Sequence, residues 1–310
     1  MRIGIVGQPC IDEIIGPDGT IRSRSLGGVL YSYAGMERAM RESGAQDSFL
    51  ALTWYSRLDA ELLDPIYAQL AHLESRPQWE TDALSNRVRL IYQSDAERIE
   101  HCASILPAIT SEELSQINLA ELDAIFVNMI SGYDISVETF EWIRRAAPDA
   151  HIHLDVHALI LGNLSTEIGV GRTPRGVQNW QRWLRVSDSI QMNELEAAWI
   201  RAPDITSEHP LLDSIRELAM SESWRTKSII ITRAERGATL FNLDEHSEFT
   251  VATEPVSVIE TTGSGDVFGS QFVYSLLQTR NSEVALHAAV NAASLNTTLV
   301  GVEALVNANS

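Results

Sequence analysis

Along the chain, short unbroken apolar runs alternate with longer stretches in which apolar residues recur every three or four positions. The runs Ile3 to Val6, Phe49 to Leu52, Ala124 to Val127, Ile152 to Val156, Ser189 to Met192 and Ile229 to Thr232 each precede such a stretch. This order predicts β-strands alternating with amphipathic helices. Parallel strands need long crossovers, so the pattern implies an α/β chain with a mostly parallel sheet covered by helices. The runs hold few polar residues, as in SIIIT at 228–232, which suits strands buried on both faces. Ligands of such sheets bind beyond the carboxyl ends of the strands, so chemistry is sought just after each run.

Two segments break the rhythm. IDEIIGPDGTIRSR (11–24) and NRVRLIYQ (86–93) alternate apolar and polar residues, with turn chemistry at Pro17-Asp18-Gly19. They predict a small sheet projecting from the main body, read as a lid, a dimer contact or ordinary surface strands. No internal repeat, low-complexity tract or long Pro/Ser linker divides the chain, so residues 1–310 read as one domain.

Composition narrows the partners. With 310 residues, 45% hydrophobic and 21% charged, and seven tryptophans, the chain is globular rather than disordered. No apolar run approaches the roughly 18 residues needed to cross a bilayer. The opening MRIGIVGQPC enters a β-like run without a secretory h-region, so a cytoplasmic location and no membrane are expected. A formal charge of −19 argues against nucleic acid, whose binding needs clustered Lys and Arg. Lys227 is the only lysine. Cys10 and Cys102 lack a paired or metal-like spacing and read as buried free thiols.

The chemistry concentrates in ETTGSGDVFG, Glu260 to Gly269. Val267, Phe268, Phe272, Val273, Leu276 and Leu277 recur at helical spacing behind Gly265, while Val256 and Val258 suit a strand ahead of the turn. The glycines therefore stand at a helix N-terminus, where free amides and the helix dipole favour an anion. An unliganded helix cap is the plainer reading. Neither a Walker A loop, which needs Gly-Lys, nor a G-x-G-x-x-G fingerprint fits the spacing. Asp266 beside an incoming phosphoryl group is repulsive unless it takes a proton from the attacking hydroxyl; as an ordinary first-turn acid it needs no such role.

These residues resemble the ribokinase-like, or PfkB, family of sugar and nucleoside kinases. ETTGSGDVF is similar to the family's D-T-x-G-A-G-D-x-F signature, which implies Asp266 as catalytic base and Gly263, Ser264 and Gly265 as the anion hole. MNELEAAW resembles N-x-x-E, implying that Asn193 and Glu196 help hold the water shell of Mg2+. IIITRAERGATLF resembles the strand and turn that approach ATP, with Thr232 and Gly237 as matching positions. VNAASLNTTLVG resembles the helix bordering the adenine, with Asn291 matched, and a monovalent-cation loop; Glu260 stands where the signature usually has Asp. GIVGQPCIDEI and LGGVLYSYAGMERAM resemble the first strand and the Gly-Gly helix start, implying acceptor contacts from Asp12, Gly27, Gly28 and Ser32. Tyr31, Asn128, Asp134 and His157 are further pocket candidates. The resemblance implies a three-layer α/β/α sandwich with a small β lid, its strands within 11–26 and 84–100. It implies an ATP-dependent kinase acting on a small-molecule sugar, polyol or nucleoside, and a homodimer through the lid.

Rival readings remain at this point. In HIHLDVH, His151, His153, Asp155 and His157 would share one face of a strand, a shell suited to a metal-dependent hydrolase, although alternate residues lie roughly 7 Å apart. The kinase reading instead has this strand deliver Asp155 or His157 to the acceptor. Arg172, Arg175, Arg182 and Arg185 form a cationic cluster that suits an anionic substrate or a solvated helix face. A binding protein without turnover on the same fold is a third reading.

Overall fold

All six apolar runs are strands of one sheet. The computed structural model describes residues 1–15, 19–92, 98–162, 172–200, 214–215, 217–218 and 224–308. In chain order the strands are β1 Arg2–Val6, β2 Pro9–Ile15, β3 Ile21–Gly28, β4 Ser48–Leu52, β5 Trp54–Ser56, β6 Trp79–Thr81, β7 Asn86–Tyr92, β8 Arg98–Ser104, β9 Ala124–Asn128, β10 His151–Asp155, β11 Ser189–Asn193, β12 Ser228–Thr232, β13 Ala238–Asn242 and β14 Ser247–Val251. The main sheet has the order β14-β13-β12-β11-β10-β9-β1-β4. Its six strands from β12 to β4 are parallel, and β13 and β14 close one edge as antiparallel strands.

Successive residues of each parallel strand enter opposite cores, which is why the runs are continuously apolar. Val6, Ile125, Val127, Ile152, Leu154, Ile190 and Met192 pack with Phe140, Ile143 and Trp183 on one face. Ile3, Ile5, Ala124 and Phe126 face Leu30, Met36, Val267 and Val302 on the other, beside a third cluster of Ile230, Leu240, Phe268 and Phe272. The helix Val137–Ala146 thus covers one face, and the helices Val29–Ser43, Ser264–Thr279 and Gly301–Asn307 cover the other. This is the expected three-layer α/β/α arrangement. The polar residues of β10 fall on one side: His151, His153 and Asp155 alternate with Ile152 and Leu154, so they lie on the face beneath the helix Ser264–Thr279.

The two alternating segments lie in a second, four-stranded sheet of order β3-β2-β7-β8. β8 runs to Ser104, past the predicted stretch. Pro17-Asp18, Gln93 and residues 163–171 fall outside the described residues. One predicted strand is absent: Val256 and Val258 are 41% and 59% exposed, and residues 252–258 carry no strand. Pro255 just before them has no N–H to give a ladder, and the segment instead walls a cleft. Cys10 and Cys102 are buried thiols that are not joined in a disulfide.

Candidate active site

A cleft of about 1190 Å³ opens at the carboxyl ends of the strands. Because β1 and β12 lie far apart in the sheet order, its lining divides into two ends. Cys10, Asp12, Gly28, Tyr31 and Val88 line one, and Thr232, Gly237, Thr253, Val256 and Val258 line the other. Gly263, Ser264, Gly265 and Asp266 line it as well, and the bonds of Asp266 and Gly265 to β9 and β11 put them between the two ends.

Gly263 caps the helix Ser264–Thr279 at φ 76°, and a Cβ there would lie 2.1 Å from Cγ of Tyr31. Only glycine meets both conditions. The Tyr31 ring packs directly on the turn, a role its sequence position did not suggest. Gly269 serves packing instead: a Cβ would lie 2.5 Å from Cζ of Phe126 and 3.0 Å from Oε1 of Gln191. The Ser264 amide donates to the Thr261 carbonyl at 3.3 Å, so it is already engaged within the turn. Asn296 Nδ2 donates to Thr262 O at 2.9 Å and to Ser264 Oγ at 3.2 Å. Asn296 ties the turn to the end of the helix Ser282–Asn296.

Asp266 is buried in the first helical turn. Its Oδ1 accepts a hydrogen bond of 2.5 Å from Nδ2 of Asn128, which also donates to Ser32 Oγ at 2.9 Å. Both Asn128 and Ser32 are fully buried and neither lines the cleft. The expected acceptor contacts are thus corrected: these two side chains stand behind Asp266. Burial lifts the Asp266 carboxyl to about 7, with the Asp12 charge adding to the rise and the Asn128 hydrogen bond opposing it.

Asp12 lines the cleft and accepts from the Cys10 thiol at 3.3 Å. Gly27 serves Asp12 rather than the cleft, since a Cβ there would lie 2.9 Å from Asp12 Oδ2. Gly28, at φ 62°, lines the cleft. His157 lines it too and takes φ 36°, uncommon for a residue with a side chain. Asp134, by contrast, is a buried turn residue whose Oδ2 accepts from the Ser131 amide and hydroxyl and the Gly132 amide.

Asn193 and Glu196 form a reciprocal cap. Glu196 donates its amide to Asn193 Oδ1 at 2.8 Å, while the Asn193 amide and Nδ2 donate to the Glu196 carboxylate at 2.7 Å each. Burial, opposed by the Asn193 amide and reinforced by the Asp266 charge, lifts Glu196 to about 8. Burial together with the charges of Glu196 and Asp266 pushes Asp155 well above the carboxylate range. Three mutually repelling carboxyl groups suit a nearby cation. Among the described residues no three His, Cys, Asp or Glu side chains gather to hold a metal directly. A cation placed here would be held through its waters, as Mg2+ is.

At the far end, Gly237 takes φ 87° and a Cβ would meet the Val251 carbonyl at 1.9 Å. Asn291 is exposed on its helix and off the cleft; Val290, Ala293, Ser294 and Thr297 of the same stretch face it. The Asn291 match is corrected accordingly: residue 291 follows Val290 by about 100° around the helix and so falls at the margin of the face that 290, 293, 294 and 297 turn to the cleft. Glu260 Oε2 accepts from the Gly301 amide at 3.2 Å.

The metal reading of HIHLDVH is overturned by hydrogen bonding. His151 Nε2 and His153 Nδ1 lie 2.8 and 2.7 Å from Ser189 Oγ, and His153 Nε2 lies 3.4 Å from Gln191 Oε1. Both His153 nitrogens are committed. The arginine cluster also divides: Arg182 and Arg185 pair with Glu138 and Glu141, and Arg175 donates to the Tyr133 hydroxyl. Arg172 lines the cleft and donates to Ser131 O at 2.6 Å.

Comparison with known proteins follows the same lines. The model of the pfkB family carbohydrate kinases matches residues 157–308. No curated protein sequence matches the chain. Ribokinase from Giardia lamblia superposes with a TM-score of 0.73 at 17% identity, covering 98% of this chain and 95% of its own. Ribokinase from Thermotoga maritima gives 0.72 at 17% identity, covering 99% and 96%. Adenosine kinase from Sinorhizobium meliloti gives 0.69 at 13% identity, covering 98% and 97%. Residues 157–308 are similar to the pfkB family carbohydrate kinases, and the whole chain has the ribokinase-like fold.

Proposed function

We propose that the chain is an ATP-dependent kinase that transfers the γ-phosphoryl group to a hydroxyl of a sugar or sugar-like acceptor, with Asp266 as general base. One observation carries this: a buried carboxyl lifted to about 7 stands in the first turn of a glycine-capped helix that lines a large cleft. A base poised near working pH takes the proton of the attacking alcohol efficiently.

The acceptor occupies the end lined by Asp12, Gly28, Tyr31 and His157, with Asp12 accepting from its hydroxyls. Asn128 engages Asp266 Oδ1, which leaves Oδ2 to receive the proton. The turn Gly263–Gly265 and the helix dipole behind it stabilise charge building on the transferring group. ATP lies toward Thr232 and Gly237, its base against Leu195, Val256, Val258 and Val290, all of which line the cleft. Mg2+, held through water near Asn193 and Glu196, would neutralise phosphate charge.

The second sheet supplies Cys10, Asp12 and Val88 to the cleft, which supports its reading as a lid that excludes water. Its opposite face, with Ile11, Glu13, Arg87 and Arg89, is where a homodimer contact is placed. A nucleoside acceptor is the second reading, favoured by Tyr31, Val88 and Ile130 as apolar walls. The test is phosphate transfer from ATP with Mg2+ across sugars, polyols and nucleosides. Pyrophosphate is run as an alternative donor, because a pyrophosphate-dependent kinase of the ribokinase family, complexed with a pyrophosphate analog and myo-inositol, has a TM-score of 0.71 to this chain at 16% identity. Transfer to none of these acceptors from either donor refutes the reading.

A further inference from the structure

The polar face of β10 and β11 forms a continuous ladder that ends on the glycine turn. His151 Nε2 meets Ser189 Oγ at 2.8 Å, Ser189 Oγ meets His153 Nδ1 at 2.7 Å, and His153 Nε2 meets Gln191 Oε1 at 3.4 Å. Gln191 Nε2 then donates to Asp155 Oδ2 at 3.0 Å and to the Gly265 carbonyl at 2.9 Å. The parallel register sets His153 beside Ser189 and Asp155 beside Gln191.

The Gly265 end of this ladder fixes its direction. The Gly265 carbonyl can only accept, so the Gln191 NH₂ must face it and the Gln191 carbonyl must face His153. His153 then carries a proton on Nε2 and, kept uncharged by burial, accepts from the Ser189 hydroxyl at Nδ1. Ser189 in turn accepts from His151 Nε2–H. Reversing one member would oppose two donors or two acceptors in a buried site, at a cost the fold does not meet elsewhere in the ladder. Burial holds His153 down at about 3 and His151 at about 4, which keeps both rings uncharged. The His153 ring is further held between Phe126 and Phe272, at centroid distances of 5.3 and 5.6 Å. Gly269 leaves the space that Gln191 Oε1 fills.

We propose that His151, Ser189 and His153 form a one-way hydrogen-bond chain that fixes the rotamer of Gln191. Gln191 is then the positioning residue that ties Asp155 to the turn bearing Gly265 and Asp266. Its kinetic consequence rests on the phosphoryl-transfer reading of the cleft; the direction of the chain does not. His153 acts only through Gln191, so losing it loosens the turn without removing a group that touches substrate.

Two measurements test this. In wild-type protein labelled with ¹⁵N-histidine, long-range ¹H–¹⁵N spectra should show His153 neutral, protonated at Nε2, down to about pH 5. An Nδ1–H tautomer, or a charged ring at that pH, overturns the chain. In kinetics, His153→Leu should lower kcat on the order of tenfold to a hundredfold, the scale of a small misplacement of reacting groups, with KM for both substrates little changed. His153→Gln, which restores a donor toward Gln191, should recover most of that loss. An unchanged kcat in His153→Leu, or equal loss in both variants, overturns the positioning role. If wild type transfers phosphate to nothing, the kinase reading and the positioning role fall together, and the spectra alone decide the chain.

Discussion

Asn128 holds Asp266 from behind: its Nδ2 lies 2.5 Å from Oδ1 of the aspartate, at the carboxyl end of β9 and away from the cleft. This donor favours the charged form of Asp266 against burial and the Asp12 charge, which together place the group at about 7. A base must be deprotonated to act. Activity in wild type should therefore fall as pH drops through about 7. In Asn128→Leu the stabilising donor is gone, so the acid limb of kcat/KM should move to higher pH by about one pH unit. A pH–rate profile of both proteins checks it, and an unmoved or lowered limb contradicts it.

Gly263→Ala confronts both a φ of 76° and the Tyr31 ring 2.1 Å from the new Cβ. The expected loss is about 1–3 kcal/mol of stability from the backbone conformation alone, with turnover reduced because the turn itself must shift. Thermal unfolding and initial rates measure the two effects.

The ion pairs of the chain separate by burial. Arg144 and Asp188 are a buried pair, about 10% and 9% exposed, and Asp188 also accepts from the Ile152 amide. Asp188→Ala should cost about 3–5 kcal/mol by leaving Arg144 uncompensated. Arg182→Ala, at a partly exposed surface cluster with Glu138 and Glu141, should cost about 1 kcal/mol or less. Denaturant titrations of the two variants should rank them in that order.

Glu196 and Asp266 bind protons more tightly folded than unfolded, at about 8 and about 7 against ordinary values of 4.5 and 3.8. Their contribution to stability is thus present at low pH and lost as pH rises from about 4 through about 8. A cation near them offsets this loss only where they are ionised. Mg2+ with ATP should raise the melting temperature more at pH 8.5 than at pH 5, by about 2–4 °C for each kcal/mol gained. An equal rise at both values would place the ion away from these carboxyl groups.

The main sheet was legible because strands buried on both faces leave almost no polar residues, and the turn was legible because a left-handed cap against an aromatic ring admits only glycine. What the sequence hid depends on distant pairing. In a strand, His151, His153 and Asp155 share a face whatever they do, so the pattern alone cannot tell a metal shell from a hydrogen-bond ladder. The register with Ser189 and Gln191, some 36 residues on, decides it. Asn128 and Ser32 were found as pocket candidates, yet only the packing of three elements shows them behind Asp266. Asn296 lay five positions beyond the matched Asn291, and its bonds to Thr262 and Ser264 carry no local signal. Val256 and Val258 alternate like a strand because they wall the cleft.

The most direct test of the whole account is Asp266→Asn, assayed with ATP, Mg2+ and the best acceptor from the panel. The substitution keeps the shape of the side chain and removes the base. Turnover should fall roughly 10²–10⁴-fold, with ATP and acceptor affinities measured by calorimetry changing about threefold or less. Turnover close to wild type would contradict the assignment of Asp266 as the group that takes the acceptor's proton.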